Sequence, residues 1–553
     1  MTEKKLQALE KLKEAAEAFK GVYPDLARQR CSSKVMQTLL KYGQEAERNT
    51  LCTEMKGHWK EICIDTYGHM VLLKVLYWGK PQQRLEIHNE LRGNYRKLAV
   101  HAVSAKLVDF IYASAMMSDK SIGWSILHEL MSNEFKVLKP VGNMPLDEIL
   151  KEKGDRAETI KKDTLDLINK AFDKSCVTRP VLALIREYWK CCTFKEKQSF
   201  AEGVRGNAQM FRISADGAGI LTEMIALLGA KHRKHMIKAL KQSVVEMALD
   251  PDASVPLLRA LVSVDDTKQL KENLVIPLVT DQEGLVDVAT SPSGYLVLCQ
   301  MLIPNSASHI SKHILDRLQP VMKPRQENEG EMVPTSKKPF EKRRAEIASG
   351  ALPSLVDFVE KRLYSLCTDE FASRVVEAVV TTCFETKFDA ECALSSCLGE
   401  GERETIIARL DGLIKKLGTF SISVPESEEK QNVMMKLNVD EEEEEEEEEE
   451  QMPLVTDRIA HRMLKRIVKA EGERSTLANT LMDNMEKDFE KWAMENRSAF
   501  VLCSIAENSS AKSKSRLANA LKPLHKKIRE KKDIAKGTEV LLKCVFKGKG
   551  KGD

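Results

Sequence analysis

The sequence predicts an all-α solenoid, and three observations carry that expectation. First, a five-residue phrase returns at a fixed interval. Ser33-Lys34-Val35-Met36-Gln37, His69-Met70-Val71-Leu72-Leu73 and Ala105-Lys106-Leu107-Val108-Asp109 follow one another at 36 residues, and Ser373-Arg374-Val375-Val376-Glu377 repeats the pattern downstream. A period in this range marks stacked helical units. Second, each phrase sits in the same helical grammar. Asp65-Thr66-Tyr67-Gly68 can open a helix, Val71, Val75 and Leu76 give it an apolar stripe, and Gly79-Lys80-Pro81 ends it. Leu39-Leu40-Lys41-Tyr42-Gly43 and Leu227-Leu228-Gly229 close in the same way, with glycines that suit a left-handed cap. Third, aromatic residues are only 5% of the 553 and charged ones 31%, which suits helical layers of Leu, Val, Ile and Ala better than sheets. Unrelated amphipathic helices would explain the stripe but not its recurrence with the cap.

Further copies extend the array: Ala218-Gly219-Ile220-Leu221-Thr222, Ala253-Ser254-Val255-Pro256-Leu257, Tyr295-Leu296-Val297-Leu298-Cys299, His461-Arg462-Met463-Leu464-Lys465 and Ala499-Phe500-Val501-Leu502-Cys503. The 113 residues from Ala105 to Ala218 are close to three periods, so two eroded units are expected there, near Met144 to Glu148 and Arg179 to Ala183. A half-unit at Lys536-Gly537-Thr538-Glu539-Val540-Leu541-Leu542 closes a series of about eleven. These spacings divide the chain into an N-terminal helical cap (1–23), a first set of repeats (24–318), a linker rich in basic residues and Pro (319–349), a second set (350–545) and a basic tail (546–553). Within the second set, 421–451 is acidic and cannot bury enough apolar area to offset chain entropy, so it is expected to be a disordered insertion.

That insertion hides the charge balance of the rest. The formal net charge is +3, but 426–450 holds 14 acids against Lys430 and Lys436, and the remainder carries +15. A basic body with an acidic appendage is the balance expected of a protein that meets phosphate-rich partners. The run Glu441 to Glu450 admits three readings: a solvating spacer, a nucleic-acid mimic that folds back on the basic surface, or a dock for basic ribosomal proteins. Thirteen cysteines without CxxC spacing read as reduced thiols of a nuclear or cytosolic protein. No leader of charged then apolar residues opens the sequence and no apolar run of membrane-spanning length occurs, so neither secretion nor a membrane partner is expected. Walker, GxSxG and HExxH signatures are missing, so no enzyme is expected. His309 with His313, and His232 with His235, share helical faces but lack a Cys or Glu ligand set, so neither a metal nor any other cofactor is expected.

The stretch from Asp65 to Leu76, with Ser33 to Gln37 and Ala372 to Glu377, resembles the Pumilio (Puf) repeat. Four features resemble its divergent nucleolar branch, the Puf-A type: Leu91-Arg92-Gly93-Asn94-Tyr95-Arg96-Lys97-Leu98, Val264-Asp265-Asp266-Thr267-Lys268, the basic run from Ser336 to Arg344, and the terminal Lys536 to Leu542. The resemblance spans nearly the whole chain in order. It implies a right-handed, curved or L-shaped array of about eleven three-helix repeats, a nuclear and nucleolar address, and a role in maturing the large ribosomal subunit through precursor ribosomal RNA. Family members usually begin with a long Lys-rich extension. Here only Lys4, Lys5, Lys11 and Lys13 precede the repeats, so either retention falls to the internal basic runs or the start of the chain is incomplete.

In Puf proteins the first and fifth phrase positions meet a base edge and the second stacks on the ring. Carried over, the edge pairs are Ser33 with Gln37, His69 with Leu73, Ala105 with Asp109, Ala218 with Thr222, Ala253 with Leu257, Tyr295 with Cys299, Ser373 with Glu377 and His461 with Lys465. Only Ser33 with Gln37, adenine-like, and Ser373 with Glu377, guanine-like, have suitable groups. At the second position, Arg374 and Arg462 can stack as guanidinium planes, Lys34 and Lys106 suit phosphate, and Met70, Gly219, Ser254 and Leu296 complete a row without an aromatic. Backbone binding has more candidates: Arg92, Arg96 and Lys97; Lys231, Arg233 and Lys234; Lys337, Lys338, Lys342, Arg343 and Arg344; Arg458, Arg462, Lys465 and Arg466; and Lys526, Lys527, Arg529, Lys531 and Lys532. Lys547, Lys549 and Lys551 could tether phosphate. The expected function is therefore a monomeric, non-enzymatic scaffold that grips RNA by shape and phosphate and meets pre-ribosomal assembly proteins. The rivals are a sequence-selective messenger-RNA regulator and a protein carrier of the armadillo or HEAT kind.

Overall fold

Eleven helices that carry the phrase, its eroded copies or the terminal half-unit form the spine of a computed structural model, which describes residues 3–137, 142–324, 332–425, 451–529 and 534–546. They are α1 (Arg30–Tyr42), α2 (Gly68–Trp78), α3 (Ala105–Ser118), α4 (Arg179–Lys190), α5 (Ala215–Leu227), α6 (Ser254–Ser263), α7 (Gly294–Leu302), α8 (Ala372–Phe388), α9 (Ala460–Glu471), α10 (Asn496–Asn508) and α11 (Lys536–Phe546). The chain divides into two compact units, Met1–Met224 and Ile225–Asp553, and so not at the basic linker. In the first unit α1 packs on α2, α2 on α3 and α3 on α4; in the second α6 packs on α7 and the stacking runs on through α8, α9 and α10 to α11. The protein is a helical solenoid. The acidic stretch 426–450 and the tail lysines lie outside the described residues.

A rung consists of a short helix, a central helix and a third helix: Tyr23–Ala27, α1 and Glu45–Met55 in the first, then Trp59–Ile64, α2 and Pro81–Leu91. The residue before the phrase must be small, because it lies against a carbonyl six positions earlier. Ser32 donates to Leu26 O at 2.6 Å, Ser104 donates to Leu98 O at 2.8 Å, and Ser498 donates to Trp492 O. Where glycine stands there, as at Gly217 and Gly294, a Cβ would come within 2.2 Å of Phe211 O and Val288 O. The central helices open on a shared turn. Asp65 Oδ1 accepts from the backbone of Tyr67 and Gly68, Asp369 Oδ1 from Phe371 and Ala372, and Asp457 Oδ1 from Ile459 and Ala460, all at 2.6 to 2.9 Å.

A second device ties the ends of a rung together. Glu54, Glu90 and Glu129 of the third helices accept from the backbone N–H of Gly21, Gly57 and Gly93, at 2.6, 2.8 and 2.8 Å. Those three glycines have φ of +81°, +91° and +81°. Glu129 also accepts from Tyr95 N and is 2% exposed. Glu129→Ala leaves the buried Tyr95 amide and the half-buried Gly93 amide without this partner, so a loss of about 2 kcal/mol is expected in chemical denaturation that reports the first unit. Glu54→Ala, on a more exposed turn, should lose less.

Four expectations change. Gly43 and Gly79 are extended, with φ of −66° and −72°; they serve room rather than handedness, since a Cβ would lie 2.5 and 2.4 Å from the carbonyls of Leu39 and Val75. Only one eroded unit stacks between Ala105 and Ala218: α4 packs directly on α3, and Leu146–Glu152 is a seven-residue connecting helix. The phrase on α6 is misregistered by one residue. Asp250 Oδ1 opens its turn to Asp252 and Ala253, and Ser254 Oγ bonds back to Pro251 O as Ser33 does to Arg30 O, so Ser254 rather than Ala253 is the first position. Finally, the stretch 319–349 contains regular elements as well as connecting chain. Met322–Pro324 and Met332–Pro334 pair antiparallel, and a helix begins at Phe340 and runs to Lys361.

Candidate nucleic-acid interface

The phrase positions divide into an internal set and an external set. Those at the first position turn inward: Ser33 and Ser373 are 1% exposed and bond to the carbonyls of Arg30 and Glu370, while His69 Nδ1 and His461 Nδ1 meet those of Asp65 and Asp457 at 3.0 and 2.8 Å. Burial pushes the His461 pKa down. The second position faces out: Lys34, Met70 and Lys106 form an exposed row on α1, α2 and α3, and Arg462 is exposed on α9. Gln37 is half-buried at its fifth position.

The guanine-like pair is occupied. Glu377 is buried on α8 and its carboxylate pairs with Arg466 of α9; burial pushes the Glu377 pKa up while the arginine opposes the shift. Arg374, cast as a stacking plane, donates to Ser308 O at 3.0 Å. Tyr295 OH reaches His309 O at 3.3 Å, and Cys299 Sγ meets Arg374 O at 3.6 Å. The chain's own segment around Ser308 and His309 thus engages two groups, Tyr295 and Arg374, at positions where Puf repeats read bases. His309 is buried, which lowers its pKa to about 4, with Arg374 and Arg466 adding to the shift.

Several expected phosphate contacts are structural. Arg343 is 5% exposed: its guanidinium donates to Asp265 Oδ1 at 2.8 Å, Lys338 O at 2.9 Å, Val264 O at 3.2 Å and Ser336 Oγ. Arg344 forks onto Glu385 at 2.9 and 2.6 Å and donates to Leu302 O. Lys338 Nζ bridges Glu346 and Thr267. Arg233, 2% exposed, donates to the carbonyls of Ile225, Ala226 and Ser263 and to Thr335, and burial lowers its pKa to about 10. In the first unit Arg96 reaches the carbonyls of Leu130 and Asp163, with its pKa lowered by burial. Except at Asp163, which lies within a helix, these carbonyls stand at helix ends or in loops, where guanidinium groups supply the missing donors. Arg92 is half-buried, whereas Lys97, Lys231, Lys234, Lys337, Lys342 and Arg458 remain exposed, and Lys465 lies 5.1 Å over the Phe500 ring. The side chains of Lys526, Lys527 and Arg529, and the whole of Lys531 and Lys532, lie outside the described residues.

Asp265 is the hub of this strap. Burial pushes its carboxyl up, but hydrogen bonds from Ser336, the Lys337 amide, Arg343 and the Lys338 amide outweigh that and hold its pKa at about 2. A folded pKa below the ordinary carboxyl value of 3.8 contributes stability that is present above that value and lost as pH falls towards about 2. Wild-type melting temperature should drop across that window more steeply than that of Asp265→Asn.

Exposed aromatics were not legible as a site from the phrase alone. Tyr42, Tyr77 and Trp78 are 57%, 58% and 41% exposed at the ends of α1 and α2, with Lys41 Nζ 4.8 Å from the Tyr42 ring and Tyr77 6.4 Å from Phe110. Tyr42 and Trp78 are 36 residues apart, so the period itself could have found them.

Comparison with known proteins now bears on this geometry. The model of the Pumilio-family RNA binding repeat matches residues 23–56, which is the first rung, and the CPL (NUC119) domain matches 290–477. Human Pumilio homolog 3 is 22% identical over 521 residues, covering 92% of this chain and 72% of that protein. Pumilio homolog 24 of Arabidopsis thaliana is 28% identical over 308 residues, covering 54% and 47%. The crystal structure of human Puf-A superimposes with a TM-score of 0.73 over 96% of this chain and 94% of that one, at 20% identity. In its repeats, its relatives and its fold the chain resembles the divergent Puf-A-type branch of the Pumilio family. The matched repeat model is that of an RNA binding repeat, and at several rungs the positions that meet bases in Puf proteins bond inward here. Human Puf-A has also been solved in complex with DNA, with a TM-score of 0.70 to this chain.

Proposed function

We propose that this protein is a non-enzymatic scaffold that holds RNA by phosphate and shape, and that the RNA is precursor ribosomal RNA in nucleolar assembly of the large subunit. One observation carries the reading: first-position side chains bond inward, while Lys34, Met70 and Lys106 stand in an exposed row on three stacked helices. Cations at rung spacing displace counterions without reading sequence. Tyr42, Tyr77 and Trp78 offer ring faces that stack on any base. The nucleolar address and the assembly proteins as partners rest on family likeness. No described helix is long and apolar enough to cross a membrane.

Crosslinking the protein to RNA in cells and mapping the attached nucleotides tests the proposal. Precursor ribosomal segments without a shared short motif are expected. A common motif in messenger RNAs would replace this reading with that of a translational regulator, and partners retained after nuclease treatment with no RNA attached would favour a carrier.

A further inference from the structure

Three ligand atoms converge at the last rung. Cys503 Sγ of α10 and Cys544 Sγ of α11 are 2.9 Å apart, and Glu507 Oε1, one turn beyond Cys503, lies 3.9 Å from the first and 3.4 Å from the second. The triangle with these sides has its centre about 2 Å from each corner, against Zn²⁺ ligand distances of about 2.0 to 2.3 Å. Cys503 is buried while Glu507 and Cys544 are exposed, so one side of the triangle opens to solvent. The 41-position separation of the two cysteines hides the set from any spacing rule read along the sequence.

We propose that Cys503, Glu507 and Cys544 form a binding site for a thiophilic divalent cation of the Zn²⁺ class, with water as the fourth ligand. Two sulfur ligands and one carboxylate exclude Mg²⁺ and Ca²⁺, which take oxygen shells. Binding converts two thiols to thiolates bonded to the ion and releases two protons to solvent, with no change of oxidation state. The site has a structural use. Among the described residues α11 is the last central helix, stacked on α10, and a repeat array needs its end rung secured. Cys503 also stands at the fifth phrase position, so the metal would occupy the place where other Puf rungs meet a base.

The test uses the full chain, reduced with a phosphine and stripped of metal, and titrates Zn²⁺ alone in competition with a chromogenic chelator. Wild type should bind one equivalent more than Cys544→Ser and Cys503→Ser, and Zn²⁺ should raise the melting temperature of wild type but not of Cys544→Ser. Because Cys544 is exposed, its serine variant keeps the fold, so the comparison stands even if Cys503→Ser fails to fold. Co²⁺ should give a thiolate charge-transfer band in wild type that Cys544→Ser loses. Equal stoichiometry in wild type and Cys544→Ser would overturn the proposal, as would recovery of the pair as a disulfide under the reducing conditions.

Discussion

Arg343→Ala is expected to destabilise the second unit by about 3 kcal/mol, because it removes the buried member of an ion pair and takes a donor from the carbonyls of Val264 and Lys338. The guanidinium side chain is 6% exposed and satisfies four groups, among them Val264 O and Asp265. Arg343→Lys should recover little, since a single ammonium cannot reproduce the fork. Hydrogen exchange gives the local readout: the amides of Lys337 and Lys338, which donate to Asp265 at 2.8 and 3.1 Å, should lose protection in both variants. RNA affinity of the folded fraction should stay unchanged. Normal stability with weakened RNA binding would restore Arg343 to the phosphate surface.

The second large effect is expected at the exposed cations. Reversing Lys34, Lys106 and Arg462 to Glu should weaken single-stranded RNA of every sequence about equally. If each meets one phosphate, the slope of log affinity against log salt should fall by about 2, at roughly 0.7 per contact. Reversing Lys231 and Lys234, two further exposed cations, should lower the slope further. Fluorescence anisotropy across a salt series reads both quantities. A variant that loses one RNA and keeps another would show that base edges, not phosphates, are being held.

The ladder was legible because packing leaves a periodic trace: Val71, Leu72 and Val75 recur in equivalent positions because equivalent neighbours bury them. The site was legible only in part. Sequence shows that a residue is basic, not whether carbonyls surround it, and so Arg96, Arg233, Arg343 and Arg344 were grouped with Lys34 although they bond inward. One hint exists: Arg343 is followed by the buried Ala345, Ile347 and Ala348 at the start of a helix, where a solvated face would carry more charge. The pairing of Glu377 with Arg466 spans 89 residues and leaves no local trace. The two features that likeness singled out separately, Val264 to Lys268 and Ser336 to Arg344, prove to be halves of one joint centred on Asp265. The slip at Ala253 arose because Ala-Ser and Ser-Val both fit the phrase, and only the Asp250 turn fixes the register.

Equilibrium binding of the full chain to a panel of equal-length single-stranded RNAs with unrelated sequences, each measured over a salt series, addresses the central claim most directly. Affinities within a few fold of one another, all falling steeply and in parallel with salt, are the predicted result. One RNA bound far more tightly than the rest, with an affinity that hardly changes with salt, would contradict it.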